Sequence, residues 1–327
     1  MFEPKRILPS EQIRKERTLF DKILRYALSL CSIIETGKTN KRVAMKIGVV
    51  FEGGGMRGIY TAGVIEAFLE QKFYAEYVIG ISAGASNGLS YVSRQRSRAL
   101  RCIIEYADNP HYASTKSWLT TGSYFGMDFL FGTLPYSLEP FDWDAYNANP
   151  CEFKIGTTKA TTAEPVFFDK SEVDKDFTVV RASCSLPIFS PAVIWKGEPY
   201  YDGGVVSPIP IEQALADGCD YLVVVLTQPR GFKKQPQKGI PLFKAVLKKY
   251  PQMVKAMTYR HLVYNKELEL LSQLEKNGRA LVIAPEKELV LDRMEKNKDN
   301  LRTAGRHGYL DGLLAFEKLS QTILAHQ

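Results

Sequence analysis

The chain is 327 residues long, 45% apolar, 11% aromatic and 24% charged, with a formal net charge of +7. These proportions are those of an ordinary globular protein and exclude a wholly disordered, collagen-like or disulfide-scaffold chain. No apolar run reaches the roughly 18 residues of a membrane-spanning helix, and the five scattered cysteines (Cys31, Cys102, Cys151, Cys184, Cys219) include no CxxC pair, which points away from a zinc site and towards a reducing, cytoplasmic compartment.

Residues 1–45 carry ten Lys/Arg against five Asp/Glu. Within them the spacing predicts a helix over 11–34, with Leu19, Ile23, Leu24, Ala27, Leu30 and Ile34 mostly on one face. Arg25 interrupts its apolar part and no small-residue cleavage site follows, so it does not read as a signal peptide. It fits a helix docked on the domain, a helix lying on a membrane surface, or a segment outside the functional core. Met45 opens the first strand, where a later start would also fit.

Lys46–Phe51 (KIGVVF) is a short apolar strand ending in glycines, and Gly58–Glu70 has helical periodicity. Tyr77–Ile81 (YVIGI) is a second strand, followed by a helix over 84–106. This alternation predicts parallel βαβ units with right-handed crossovers. Further strands are predicted at 152–158, 178–182, 191–196, 220–227 and 279–284; the unbroken β-branched centre of Asp220–Gln228 suits a strand covered on both faces. Residues 229–241, rich in Pro, Gly and Lys, predict a mobile loop. Helices follow over 242–276, interrupted at Pro251, and over 299–323. The fold class is therefore α/β, a mostly parallel central sheet flanked by helices, with helical N-terminal and C-terminal additions. The chain divides into a basic extension (1–45), a main domain (46–228) and a basic loop with a helical elaboration packed on it (229–327).

Residues 230–260 hold nine Lys/Arg and no acid, which leaves the rest of the chain outside 1–45 at −7. A basic block of this kind attracts phosphate-bearing partners, or is simply a solvated helix face. Lysines interleaved with Leu, Phe, Val, Met and Tyr suit an anionic membrane surface, where each cation contributes about 1 kcal/mol; the same apolar residues also suit a core. No nucleic-acid motif accompanies them, so a nucleic-acid partner is not expected.

Three motifs carry chemistry. The first, Gly53-Gly54-Gly55-Met56-Arg57-Gly58, lies between a strand and a helix, where glycines expose consecutive N–H groups and the helix start adds positive charge. Such a loop holds a phosphate or a developing oxyanion. Its spacing also satisfies the dinucleotide-binding pattern, but that pattern expects an acidic residue after the second strand, and Glu76 precedes it. The second, Gly80-Ile81-Ser82-Ala83-Gly84, is a GxSxG sequence in strand-to-helix context, as a nucleophile elbow requires. An ordinary turn with Ser82 as helix N-cap is the plainer alternative. A nucleophilic serine needs a base; none of His111, His261, His307 or His326 follows a strand closely. The third motif, Asp202-Gly203-Gly204, follows a predicted hairpin over 192–201, and its Asp can act directly as base if burial raises its pKa. A structural turn Asp is the alternative.

Order and context of the three motifs resemble the patatin-like phospholipase family: GGGMRG at 53–58, GISAG at 80–84 and DGG at 202–204, within a likeness that covers roughly residues 46–228. The resemblance implies a three-layer fold related to the α/β-hydrolases and a catalytic domain over 46–228. It implies Ser82 as nucleophile, Asp202 as its sole partner, and the Gly53–Gly58 amides as oxyanion hole with Arg57 reinforcing the field. Gly80, Gly84, Gly203 and Gly204 would support the motifs. It further implies a phospholipid or other acyl-lipid substrate, an acyl-enzyme, and no metal or cofactor. Peripheral contact with an anionic membrane would run through 230–260 and the N-terminal helix. The competing functions are a non-catalytic lipid-binding protein on this fold, a Ser-His-Asp esterase using His307, and a nicotinamide-dependent oxidoreductase.

Overall fold

The computed structural model describes residues 45–291 and 294–326, so the helix predicted over 11–34 lies outside the described residues. The strands are β1 (Ile47–Phe51), β2 (Tyr77–Ile81), β3 (Glu152–Lys159), β4 (Pro165–Asp169), β5 (Val193–Trp195), β6 (Glu198–Asp202), β7 (Tyr221–Val225) and β8 (Ala280–Ile283). The helices are α1 (Gly58–Glu70), α2 (Ala83–Val92), α3 (Arg98–Ile104), α4 (Thr115–Thr121), α5 (Trp143–Ala148), α6 (Thr178–Ser183), α7 (Ile211–Ala216), α8 (Ile240–Val246), α9 (Pro251–Lys276) and α10 (Lys298–His326).

β1 is central, paired in parallel with β2 on one side and β7 on the other. The parallel arrangement continues through β3 beyond β2 and β8 beyond β7. Every residue of β2 and β7 is buried, as continuous apolar strands covered on both faces must be. Beyond β3 the pairing turns antiparallel, with β4 and β6 on β3 and β5 on β6. On one face Val50, Ile79, Leu222 and Val224 pack against α7 and α9 through Ile211, Ala214, Tyr264, Leu271 and Leu274. On the other, Phe51 meets Tyr91 of α2 edge-on at 5.9 Å. α10 ties to α1 through Tyr60 Oη donating to Asp311 (2.6 Å) and Tyr309 Oη donating to Glu70 (2.8 Å).

Three expectations need correction. The strand predicted over 178–182 is helix α6: the Asp174 carboxylate accepts from both the amide and the hydroxyl of Thr178 at 2.7 Å, which starts a helical turn despite two valines. The helix predicted over 84–106 is α2 and α3, separated where Arg94 and Ser97 take positive φ (55° and 59°). The short edge strand β4 was not anticipated. The interruption expected at Pro251 is present: α8 ends at Val246 and α9 begins at Pro251, whose missing N–H costs nothing in a first turn. No described helix is long and apolar enough to cross a membrane.

Candidate active site

Ile81 ends β2 opposite Gly156 of β3, and Asp202 ends β6 opposite Thr157, the next rung. Because β4 occupies one edge of β3 over Lys154–Thr158, β2 and β6 share the other edge and meet on it end to end. Successive rungs are about 3.3 Å apart. Ser82, one residue past Ile81, and Asp202 therefore emerge at the same spot on the sheet.

Ser82 turns the chain from β2 into α2 with φ 54° and ψ −122°, a conformation that costs a non-glycine residue about 1–3 kcal/mol. It occupies the N-cap position of α2, yet its hydroxyl makes no capping bond. The Ser82 amide donates to Ser183 Oγ (2.8 Å), whose own proton goes to the Gly156 carbonyl (2.6 Å). These bonds hold the strained turn against β3. Gly84 must lack a side chain, since a Cβ there would lie 2.2 Å from the Phe51 carbonyl oxygen.

Asp202 is 2% exposed. Its Oδ1 accepts from the Gly204 amide (2.7 Å), its own amide donates to the Ser185 carbonyl (2.8 Å), and its carbonyl accepts from Thr158 Oγ1 (2.8 Å). Backbone and carboxylate are thus both fixed. Gly203 packs on β3 so closely that a Cβ would fall 2.5 Å from the Gly156 oxygen.

The glycine loop leaves β1 after Glu52 and enters α1 through a 3-10 turn, Gly55–Arg57. It lies directly against Ser82: a Cβ on Gly53 would be 3.0 Å from that of Ser82. Asn87 of α2 donates to the Gly58 carbonyl (2.7 Å), joining loop to elbow. Glu52 is buried beneath the loop, accepting from the Thr227 amide (2.6 Å) and Tyr264 Oη (2.7 Å). Burial pushes its carboxyl pKa up, against the opposing pull of those donors and of Arg57. Gln228, oriented with its amide oxygen towards Arg57, accepts from Nη1 (2.9 Å) and Nη2 (3.1 Å).

Two cavities meet at Ser82. One, with about 930 Å³ of empty space, is walled by apolar side chains including Met56, Leu89, Ile103, Phe131 and Leu134. The other, with about 780 Å³ of empty space, sets charged and polar groups (Arg57, Asp202, Gln228, Lys234, Arg260, Tyr264 and the backbone of Gly53, Gly54 and Gly204) among apolar ones such as Ile81, Phe189 and Pro208. Gly55, Ser82, Phe125 and Leu186 belong to both walls. Gly58, Gly80, Gly84 and Gly203 stand behind the walls. Among the described residues no histidine lines either cavity, and no group of three or more His, Cys, Asp or Glu could hold a metal ion.

Sequence reasoning did not single out Glu52, Ser183, Gln228, Arg260 or Tyr264. Glu52 alone carried a local signal, a carboxylate wedged between an apolar strand and glycines; the others reach the site only through tertiary contacts.

A family model described as patatin-like phospholipase matches residues 49–215, and a second, a domain of unknown function (DUF6363), matches 250–323. The Escherichia coli K12 protein YjjU, itself described as uncharacterised, is 28% identical over 198 residues, 59% of this chain and 55% of YjjU. Lysophospholipase nte1 of Aspergillus terreus is 28% identical over 188 residues, 55% of this chain but 12% of that protein. The chain thus spans about half the length of the first relative and a small part of the second. The crystal structure of VipD from Legionella pneumophila aligns with a TM-score of 0.49 and 15% identity, over 89% of this chain and 73% of VipD. The match over 49–215 contains the glycine loop, the strained serine turn and the Asp202 turn in one span, and the chain belongs to the patatin-like phospholipase family.

Proposed function

We propose that the protein is a serine acyl-ester hydrolase acting on phospholipids or other acyl lipids, with Ser82 as nucleophile, Asp202 as general base and amides of the Gly53–Gly58 loop as oxyanion donors. The observation that carries this reading is the position of Ser82 at the junction of an apolar cavity and one that holds Asp202 and several cationic side chains, against the glycine loop. An acyl ester has the same two halves. Each methylene that enters the apolar cavity is stabilised by about 0.8 kcal/mol, which brings the ester carbonyl to Ser82.

The Ser82 hydroxyl proton passes to the Asp202 carboxylate as Oγ bonds to the carbonyl carbon, and the carbonyl oxygen takes up negative charge against the loop amides. Collapse breaks the carbon–oxygen bond to the alcohol, which leaves with the proton from Asp202. Water then gives a proton to Asp202, attacks the acyl-Ser82, and releases the fatty acid as the serine regains its hydrogen. Loss of one oxyanion donor costs about 2.7–4 kcal/mol in comparable sites. The absence of histidine from both cavity walls among the described residues favours Asp202 over a Ser-His-Asp arrangement. The protein meets its substrate at an anionic membrane through the exposed Lys233, Lys238, Lys244, Lys248, Lys249 and Lys255.

Fluorophosphonate labelling and short-chain ester hydrolysis test the reading. Ser82→Ala should abolish both and Asp202→Asn should reduce both severely; full activity in Ser82→Ala removes the proposal. A wild type that binds vesicles but never labels favours the non-catalytic lipid-binding alternative.

A further inference from the structure

Helix α9 belongs to the stretch matched only as a domain of unknown function, yet its side chains reach both loops of the site. Tyr264 Oη donates to Glu52, which directly precedes Gly53. Glu267 accepts from the Ile209 amide (2.9 Å), downstream of Asp202. Arg260 Nε donates to the Gly204 carbonyl, and the Gly204 amide in turn holds Asp202 Oδ1. Arg260 does more than brace that turn, because it also stands on the wall of the second cavity with Ser82 and Asp202. Its Nη2 lies 3.2 Å, and Asp202 Oδ1 3.0 Å, from the point a Cβ on Gly204 would occupy, so guanidinium and carboxylate are neighbours.

Arg260 brings a permanent cation and a planar fork of donors to this wall, the geometry that suits a phosphate. Arg57 and Lys234 share the wall, while Glu52, its other described carboxylate, has both oxygens taken up by Thr227 and Tyr264. We propose that Arg260 is a specificity-determining residue: through it the C-terminal region supplies the headgroup side of the active site and selects acyl esters that carry a phosphate. This inference rests on the hydrolase reading above. It adds to it a role for residues outside the span of the patatin-like match.

The test compares two esters of the same short acyl chain, a lysophosphatidic acid and a monoacylglycerol, both kept monomeric. Wild type should favour the phosphate ester in kcat/KM. Arg260→Gln should raise KM for that ester roughly tenfold to a hundredfold, lowering its kcat/KM at least tenfold more than that of the uncharged ester; Arg260→Lys should restore part of the preference. Equal losses on both esters, carried in kcat, would show that Arg260 only braces Gly204 and would overturn the proposal. If Arg260→Gln fails to fold, inorganic phosphate decides: competitive inhibition of wild type, weakened in Arg260→Lys, supports the site, and no inhibition overturns it. A wild type that turns over neither ester removes the hydrolase reading separately. Titration of Ser82→Ala with both lipids then decides the phosphate preference, which equal affinities would overturn.

Discussion

Ser183→Ala asks how the strained serine is held in place. In wild type the Ser82 amide has Ser183 Oγ as its acceptor at 2.8 Å, in a fully buried position. Removing the hydroxyl leaves a buried N–H unpaired, which costs about 1–3 kcal/mol. A domain stable by about 5–15 kcal/mol still folds after such a loss, with Tm lowered by about 2–12 °C at roughly 2–4 °C per kcal/mol. The effect on chemistry should exceed the effect on stability, because φ 54° at Ser82 persists only while its surroundings enforce it. Relaxation of the turn by about 1 Å can cost a hundredfold in rate, so fluorophosphonate labelling of Ser82 should slow by about ten- to a hundredfold. Thermal melts and labelling rates of the two proteins, measured side by side, separate these consequences. A variant with lowered Tm and unaltered labelling would show that the hydroxyl serves packing alone and would refute the account of the turn.

Ser82→Gly should abolish labelling yet raise stability by about 1 kcal/mol, since glycine adopts this φ without strain; denaturant unfolding measures it. Gly84→Ala should yield little folded protein, as its Cβ has no room beside the Phe51 carbonyl; soluble yield and circular dichroism report the outcome. Burial pushes the Glu267 carboxyl up to about 9, so the folded state keeps a proton that the unfolded state releases above about 4.5. Its contribution to stability is therefore complete below that lower value and is lost as pH rises towards 9. Wild-type Tm should fall over this window, and Glu267→Gln should flatten the fall.

The central sheet was readable because its strands are short apolar runs stopped by glycine or small residues, as in Lys46–Phe51 and Tyr77–Ile81. α6 was not, because Val179 and Val180 imitate a strand and the deciding contact comes from Asp174, outside the run. β4 begins at a proline and occupies an edge of β3, where proline is tolerated and periodicity says little. At the site, Ser82, Asp202 and the glycine loop stood out since their backbone demands leave glycines in the sequence. Ser183, Arg260 and Tyr264 left no such trace. A serine in a short helix and an arginine or tyrosine on a long one look like any others until the fold carries them across 56 to 212 positions to Gly204, Ser82 and Glu52.

The bond between Tyr264 and Glu52 makes the patatin-like part of the chain a poor candidate for excision. A fragment ending near Gln228 would strand the Glu52 carboxyl under the glycine loop without its phenol donor, and would turn β7 into an open sheet margin once β8 was gone. Grafting the three motifs into another scaffold therefore means transplanting this tail with them, or designing a replacement for what it seals.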